Sequence, residues 1–230
     1  MPSREPRLIA TTIHGRTLVR DARQPCAGLV IGFHGYMENA EIQMERLEGI
    51  SGADAWTLLS VQGLHRFYRG RSETVVASWM TREDREAMIA DNLAYVDRAI
   101  ESIAEADRPR IVCAGFSQGA AMAFRAGTCS RFAAAGIVAV GGDVPPELVA
   151  ERAVFPPVLL ARGTGDEWYT ARKLDDDIAT LTGRGASVEP LVYAGGHEWN
   201  GEVSAAAAAF IASCFSSGAV PRPPRSSATR

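Results

Sequence analysis

The chain has 230 residues, 47% of them hydrophobic, with a formal net charge of -3 and a pI near 5.9. That length suits one α/β domain with a generous core, and the apolar content excludes wholesale disorder. The charge balance provides no basic stripe for nucleic acid, no run is long and apolar enough to span a bilayer, and Met1–Arg7 lacks the apolar stretch of a signal peptide, so the expectation is a soluble, cytoplasmic protein with no nucleic-acid partner and no stable membrane insertion.

In chain order, Leu8–His14 and Thr17–Asp21 read as two strands joined at Gly15, an edge hairpin. Gly28–Phe33 is continuously apolar, as expected of a strand buried on both faces. Ile42, Leu47 and Ile50 place a helix over Ala40–Ser51, and Trp56–Val61 is the next strand. Gly63–Thr81 reads as a long connection. From Arg82 to Ala106 the apolar residues Met88, Leu93, Val96, Ile100 and Ile103 recur at helical spacing. Arg110–Ala114 is a short buried strand, followed across Gly115–Gly119 by a helix beginning at Ala120. Gly136–Val140 and Val158–Ala161 are two more strands. Arg172–Leu181 is helical, with Asp175–Asp177 as a solvated face; Ser187–Tyr193 is the last strand and Glu202–Phe215 the last helix. Strands alternating with helices imply a mostly parallel central sheet with helices on both faces, over a domain of residues 1–215. Residues 216–230, rich in Ser, Pro and Arg, read as a disordered tail. The cysteines 26, 113, 129 and 214 form no C-x-x-C pair, so neither a zinc site nor a disulfide framework is expected, and Cys113 behaves as a small apolar residue.

The most informative segment is Gly115-Phe116-Ser117-Gln118-Gly119. A serine between two glycines at a strand-to-helix turn is a nucleophile elbow, which lifts the hydroxyl above the sheet with a helix N-terminus behind it. Short motifs recur by chance, so the weight comes from the context. A serine needs a base, and the base an orienting carboxylate. His197, in Ala194-Gly195-Gly196-His197, is the only histidine after Ser117 and follows the last strand. Two aspartates compete for the acid. Asp166 follows a strand through Gly163-Thr164-Gly165 and is favoured; Asp143 precedes Pro145-Pro146 and is more simply a turn residue. The oxyanion of acyl transfer requires fixed donors: the Gln118 amide, next after the nucleophile, and the Tyr36 amide in the loop His34-Gly35-Tyr36-Met37. His34, which precedes the serine, is assigned to bracing that loop.

These pieces resemble the carboxylesterase/phospholipase branch of the α/β-hydrolases, which includes acyl-protein thioesterases. The resemblance rests on Phe33-His34-Gly35, Ser78-Trp79, Ala114–Ala123 with its G-F-S-Q-G-A-A-M-A run, Arg162–Asp166 and Gly196-His197. It implies the α/β-hydrolase fold and hydrolysis of a small-molecule ester or thioester without metal or organic cofactor. It also implies Ser117 as nucleophile, His197 as base, Asp166 as orienter, and Tyr36 with Gln118 as oxyanion donors. Met37 and Glu167-Trp168-Tyr169 depart from the common pattern, in loops that should border the pocket. The short segment between Val140 and Val158 leaves no room for a large lid. Met37, Trp79 and Trp168 are expected to bind substrate, with Trp199 also near the mouth and Leu64, Phe67, Tyr68 and Met80 in an apolar wall. Arg66, Arg69 and Arg71 are candidates to attract an anionic leaving group, although a solvated loop is the simpler reading. Monomer and homodimer both remain open. The alternatives are an amide or lactone hydrolase on the same residues (peptidase-like or dienelactone-type), or a non-catalytic receptor that retains the fold.

Overall fold

In the computed structural model, which describes residues 7–23, 26–103 and 110–216, the apolar runs form a seven-stranded sheet. Its strands are β1 (Arg16–Arg20), β2 (Gly28–Phe33), β3 (Trp56–Gln62), β6 (Ile111–Phe116), β7 (Ala134–Val140), β8 (Val158–Gly163) and β9 (Val188–Tyr193), in the order β1-β3-β2-β6-β7-β8-β9. Only β1 is antiparallel to its neighbour, with Arg16 opposite Gln62; the other pairs are parallel. β4 (His65–Tyr68) and β5 (Val75–Ser78) form a separate hairpin.

Parallel neighbours require crossovers, and the helices supply them: α1 (Ala40–Glu48), α2 (Arg85–Glu101), α3 (Gln118–Cys129), α4 (Pro146–Ala150), α5 (Ala171–Gly183) and α6 (Gly201–Ser216). The two-residue period of each strand divides the core. On β6, Ile111 and Cys113 face one cluster while Val112, Ala114 and Phe116 face the other. The first cluster takes Val96, Met122 and Leu174 from α2, α3 and α5; the second takes Leu47 and Phe210 from α1 and α6. Both faces are thus covered, which explains why β2, β6 and β8 are buried along their whole length and carry no polar alternation. This is the α/β-hydrolase fold, and no large lid domain interrupts the described residues.

Several sequence expectations are corrected. Leu8–His14 is not a strand, and no hairpin forms at Gly15. Leu8, Ile9 and Ile13 are exposed, so a strand there would bury no face, and β1 pairs instead with the distant β3. Tyr95 packs against Gly15, and its hydroxyl donates to the Arg16 carbonyl at 2.7 Å. Gly63–Thr81 contains the β4–β5 hairpin. Asp177 is 9% exposed and lies inside, although Asp175 and Asp176 face solvent as expected. The helix expected through Ala106 ends at Glu101, and 104–109 lie outside the described residues, as does the expected tail from 217 onward. All four cysteines are free thiols; burial pushes the Cys113 thiol up to about 12.

Candidate active site

Ser117 lies between β6 and α3 at φ 54°, ψ -119°, outside the regions that a side chain adopts without strain. Close packing on both sides holds it there. A methyl on Gly115 would run into the Gly119 carbonyl, and one on Gly119 into the Phe33 carbonyl of β2, so no larger residue fits at either position. The Ser117 amide donates to the Val140 carbonyl at 2.8 Å, which anchors the turn to β7.

His197 and Asp166 come from the loops after β9 and β8. The imidazole Nδ1 lies 2.8 Å from Asp166 Oδ2. A carboxylate only accepts, so Nδ1 carries the proton and Nε2 is the free lone pair. The other carboxylate oxygen, Oδ1, accepts from the Trp168 and Tyr169 amides, both at 2.8 Å. Asp166 is 3% exposed, so these bonds replace the water it lacks. Asp143, the competing aspartate, lies on the surface and pairs with Lys173 at 2.9 Å.

The imidazole is also boxed in by Phe116, whose ring centroid is 4.9 Å away, and by Gly141. Gly141 sits at φ +64°, and a Cβ there would lie 2.9 Å from His197 Cε1 and 3.4 Å from Asp166 Oδ2. Gly142, the next residue, packs against the Ser117 backbone. The β7 loop therefore touches the His197–Asp166 pair with one glycine and the serine turn with the next.

In the loop after β2, His34 Nε2 accepts from the Gly63 amide at 2.9 Å, which leaves Nδ1–H to donate to the Gly35 carbonyl at 2.7 Å. Burial lowers the pKa of His34, in keeping with a neutral ring that braces the loop. The amides flanking Tyr36 are engaged: Gly35 N–H with Glu38 Oε2 at 2.7 Å, and Met37 N–H with the Ala77 carbonyl at 3.2 Å. Among the described residues the Tyr36 amide makes no hydrogen bond. Its ring is exposed and lies 5.9 Å from that of Phe67.

Sequence reasoning missed the residues that hold this loop. Glu38 takes both terminal nitrogens of Arg46 at 2.6 Å, and the Arg46 guanidinium covers the Phe116 ring at 4.3 Å. Burial would raise the Glu38 carboxyl, but the bonds and charge of Arg46 outweigh it, and the net shift is downward. The Gln118 side chain makes a separate set of bonds. Its side-chain oxygen accepts from Trp79 N–H at 2.9 Å and from the Ser78 hydroxyl at 3.2 Å, while its nitrogen donates to the Met80 carbonyl at 2.9 Å. It thereby clamps the segment after β5 against the serine turn. Nothing in the local sequence around Glu38, Arg46 or Gln118 distinguishes these partners: the Gln118 bonds span 38 to 40 residues, and the Glu38–Arg46 pair, though close in the chain, forms only once the β2 loop folds back on α1.

A cavity of about 510 Å³ opens beside Ser117 and Gln118, bordered by Met80, Gly141, Gly142, Val144 and Trp168 among others. Trp168 is 76% exposed at its edge. Met37 does not border this cavity. Trp79, expected at the pocket, is fully buried, with its indole N–H on the His34 carbonyl at 2.8 Å and its ring against His34 and Phe33, so it packs beneath the loop and does not border this cavity. Trp199 likewise packs inward, donating to the Ser204 hydroxyl at 3.0 Å. Of the expected apolar wall, Met80 reaches this cavity; Leu64, Phe67 and Tyr68 do not. Arg66, Arg69 and Arg71 lie on or beside the β4–β5 hairpin and also do not border it.

Residues 14–214 match the family model of phospholipases and carboxylesterases. The chain belongs to this family. Its fold is similar to that of esterase PE8 (TM-score 0.74, 20% identity, covering 88% of this chain and 100% of that one). It is also similar to Zea mays acyl-protein thioesterase 2 (0.70, 18%, 88% and 100%) and to the Bacillus cereus carboxylesterase (0.68, 21%, 87% and 95%). A sequence comparison with curated proteins found no match. Family and fold together mark a hydrolase of the esterase or thioesterase type. Among the described residues no group of side chains is arranged to hold a metal ion, and no helix is long and apolar enough to cross a membrane.

Proposed function

We propose that the chain hydrolyses carboxylic esters or thioesters of small molecules through an acyl-enzyme on Ser117. The observation that carries this reading is the 2.8 Å bond between His197 and a buried Asp166, built at the same sheet rim as a serine held at positive φ. Asp166 fixes the imidazole as the Nδ1–H tautomer and stabilises the imidazolium as it forms. His197 Nε2 removes the Ser117 proton while the oxygen attacks the carbonyl carbon. The negative charge on the carbonyl oxygen is received by the Tyr36 and Gln118 amides, the former without a competing partner and the latter at the N-terminus of α3. The imidazolium then protonates the departing alkoxide or thiolate. Water, deprotonated by the same nitrogen, attacks the acyl-enzyme and releases the acid. Trp168 and Met80 flank the substrate at the cavity; we assign Met37 to the outer edge of the oxyanion loop. Four free thiols, two of them exposed, suit a reducing compartment such as the cytoplasm.

Turnover of a p-nitrophenyl ester of a short acid tests this reading. The Ser117→Ala variant should retain its circular dichroism and melting behaviour while losing at least about a thousandfold in kcat. A variant that keeps a tenth or more of wild-type turnover would remove Ser117 from the chemistry.

A further inference from the structure

The cavity beside Ser117 contains more positive charge than its apolar walls require. Arg82, Arg85, Arg125 and Lys173 border it, against one acid, Asp143. Lys173 and Asp143 neutralise each other at 2.9 Å. Arg125 is 2% exposed on α3 and donates through Nε to Glu147 at 2.6 Å; Arg85, at the start of α2, donates to the other oxygen of the same carboxylate at 2.9 Å. One carboxylate therefore serves two guanidiniums. Burial lowers the pKa of Arg125, and Glu147 offsets this only in part. Arg82 lies on the exposed rim and has no ion-pair partner among the described residues. The count leaves two positive charges uncompensated around a concavity that opens on the nucleophile.

Two guanidiniums that share one carboxylate keep a net positive charge, and an anion from the substrate would balance it. Arginine is suited to this role because its planar donors match a carboxylate or a phosphate two bonds at a time. Met80, Val144 and Trp168 in the same cavity would pack the intervening carbons. Building on the esterase reading above, we propose that the preferred substrate is a short ester carrying a carboxylate or phosphate, bound by Arg82, Arg85 and Arg125. The arginines of the β4–β5 hairpin have no part in this. Arg66 is turned to the His14 carbonyl at 2.9 Å and borders a different depression, with Arg16 and Glu41.

The experiment compares kcat/KM for matched pairs of esters. One pair has a common aryl leaving group and an acyl chain ending either in methyl or in carboxylate. A second pair has a common acyl group and an alcohol that is either neutral or phosphorylated. The proposal expects the charged member of at least one pair to be favoured by about tenfold or more at low salt, with the preference shrinking as ionic strength rises. The pair that shows the preference identifies the side of the ester that occupies the cavity. In Arg82→Gln/Arg85→Gln the ratio of charged to neutral turnover should collapse towards one, whereas Arg66→Gln should leave the ratio at its wild-type value. Buried Arg125 is left intact so that folding is not put at risk. Brisk turnover of the neutral esters with no charge preference in either pair overturns this proposal and leaves the esterase reading standing. Absence of turnover on every ester is a failure of the esterase reading itself.

Discussion

At Gly141 a single missing side chain leaves room for the His197–Asp166 pair. Its φ of +64° is open to glycine at little cost, and the space where a Cβ would stand is filled by the imidazole of His197. Gly141→Ala therefore meets two penalties: about 1–2 kcal/mol of backbone strain, and a contact that pushes the ring away from Asp166. Gly185 separates the two. It has φ +80° with nothing within 4 Å of its would-be Cβ. Gly185→Ala should lose stability by a similar amount in urea titrations yet keep its kcat, while Gly141→Ala should lose kcat as well, by about tenfold or more if a donor-acceptor contact is disturbed. Equal activity in the two variants would show that Gly141 is needed only for the turn. The residue types of this site could be read from the sequence, because a glycine-flanked serine and a solitary later histidine are local signals. The Glu38–Arg46–Phe116 support and the inward turn of Trp79 could not, because they depend on contacts among α1, the β2 loop, the end of β6 and the segment after β5.

α5 ties the two loops that flank the cavity. Asp177 on this helix accepts from the Val144 amide at 3.2 Å, in the β7 loop, and from the Tyr169 hydroxyl at 2.9 Å, in the loop that holds Asp166. Burial is the largest influence on Asp177 and pushes its carboxyl up to about 6; the two hydrogen bonds oppose the rise, and the charges of Asp143 and Asp176 add to it. The ordinary value is 3.8, so between 3.8 and about 6 the folded protein holds this proton more firmly than the unfolded chain does. The contribution to stability is complete below 3.8 and declines as pH rises through about 6. Asp177→Asn cannot ionise and lacks this slope. Urea midpoints should shift in favour of the variant, relative to wild type, as pH is raised from 4 to 8; a constant difference across that range would mean that Asp177 does not titrate in this window. Sequence pattern placed Asp177 in a solvated triplet, because three consecutive acids look alike until the helix is rotated onto the sheet. The short helix α4 and the β4–β5 hairpin escaped for a related reason: each is too brief to show a period, and each is stabilised by what it packs against.

Across the whole molecule, the mostly parallel sheet with helices on both faces was legible because strands buried on both faces are continuously apolar and the helices between them are periodic, whereas the order β3-β2-β6-β7-β8-β9 depends on pairings that no local pattern carries. The edge was less so: β1 turns antiparallel onto β3, and the described residues just before it, 7–15, are exposed and pack no apolar face. This sheet brings the ends of β6, β7, β8 and β9 to one rim, where Gly141 packs against the bonded pair His197–Asp166 and its neighbour Gly142 against the Ser117 backbone, although the chain separates Ser117 from His197 by most of its second half. The account depends on that rim activating one serine among all those in the chain. Labelling with a fluorophosphonate, followed by peptide mass spectrometry, tests this most directly. The account predicts one adduct per chain, on the peptide containing Ser117, and its loss when His197 is replaced by alanine. An unlabelled wild-type protein, or an adduct on another residue, would contradict it.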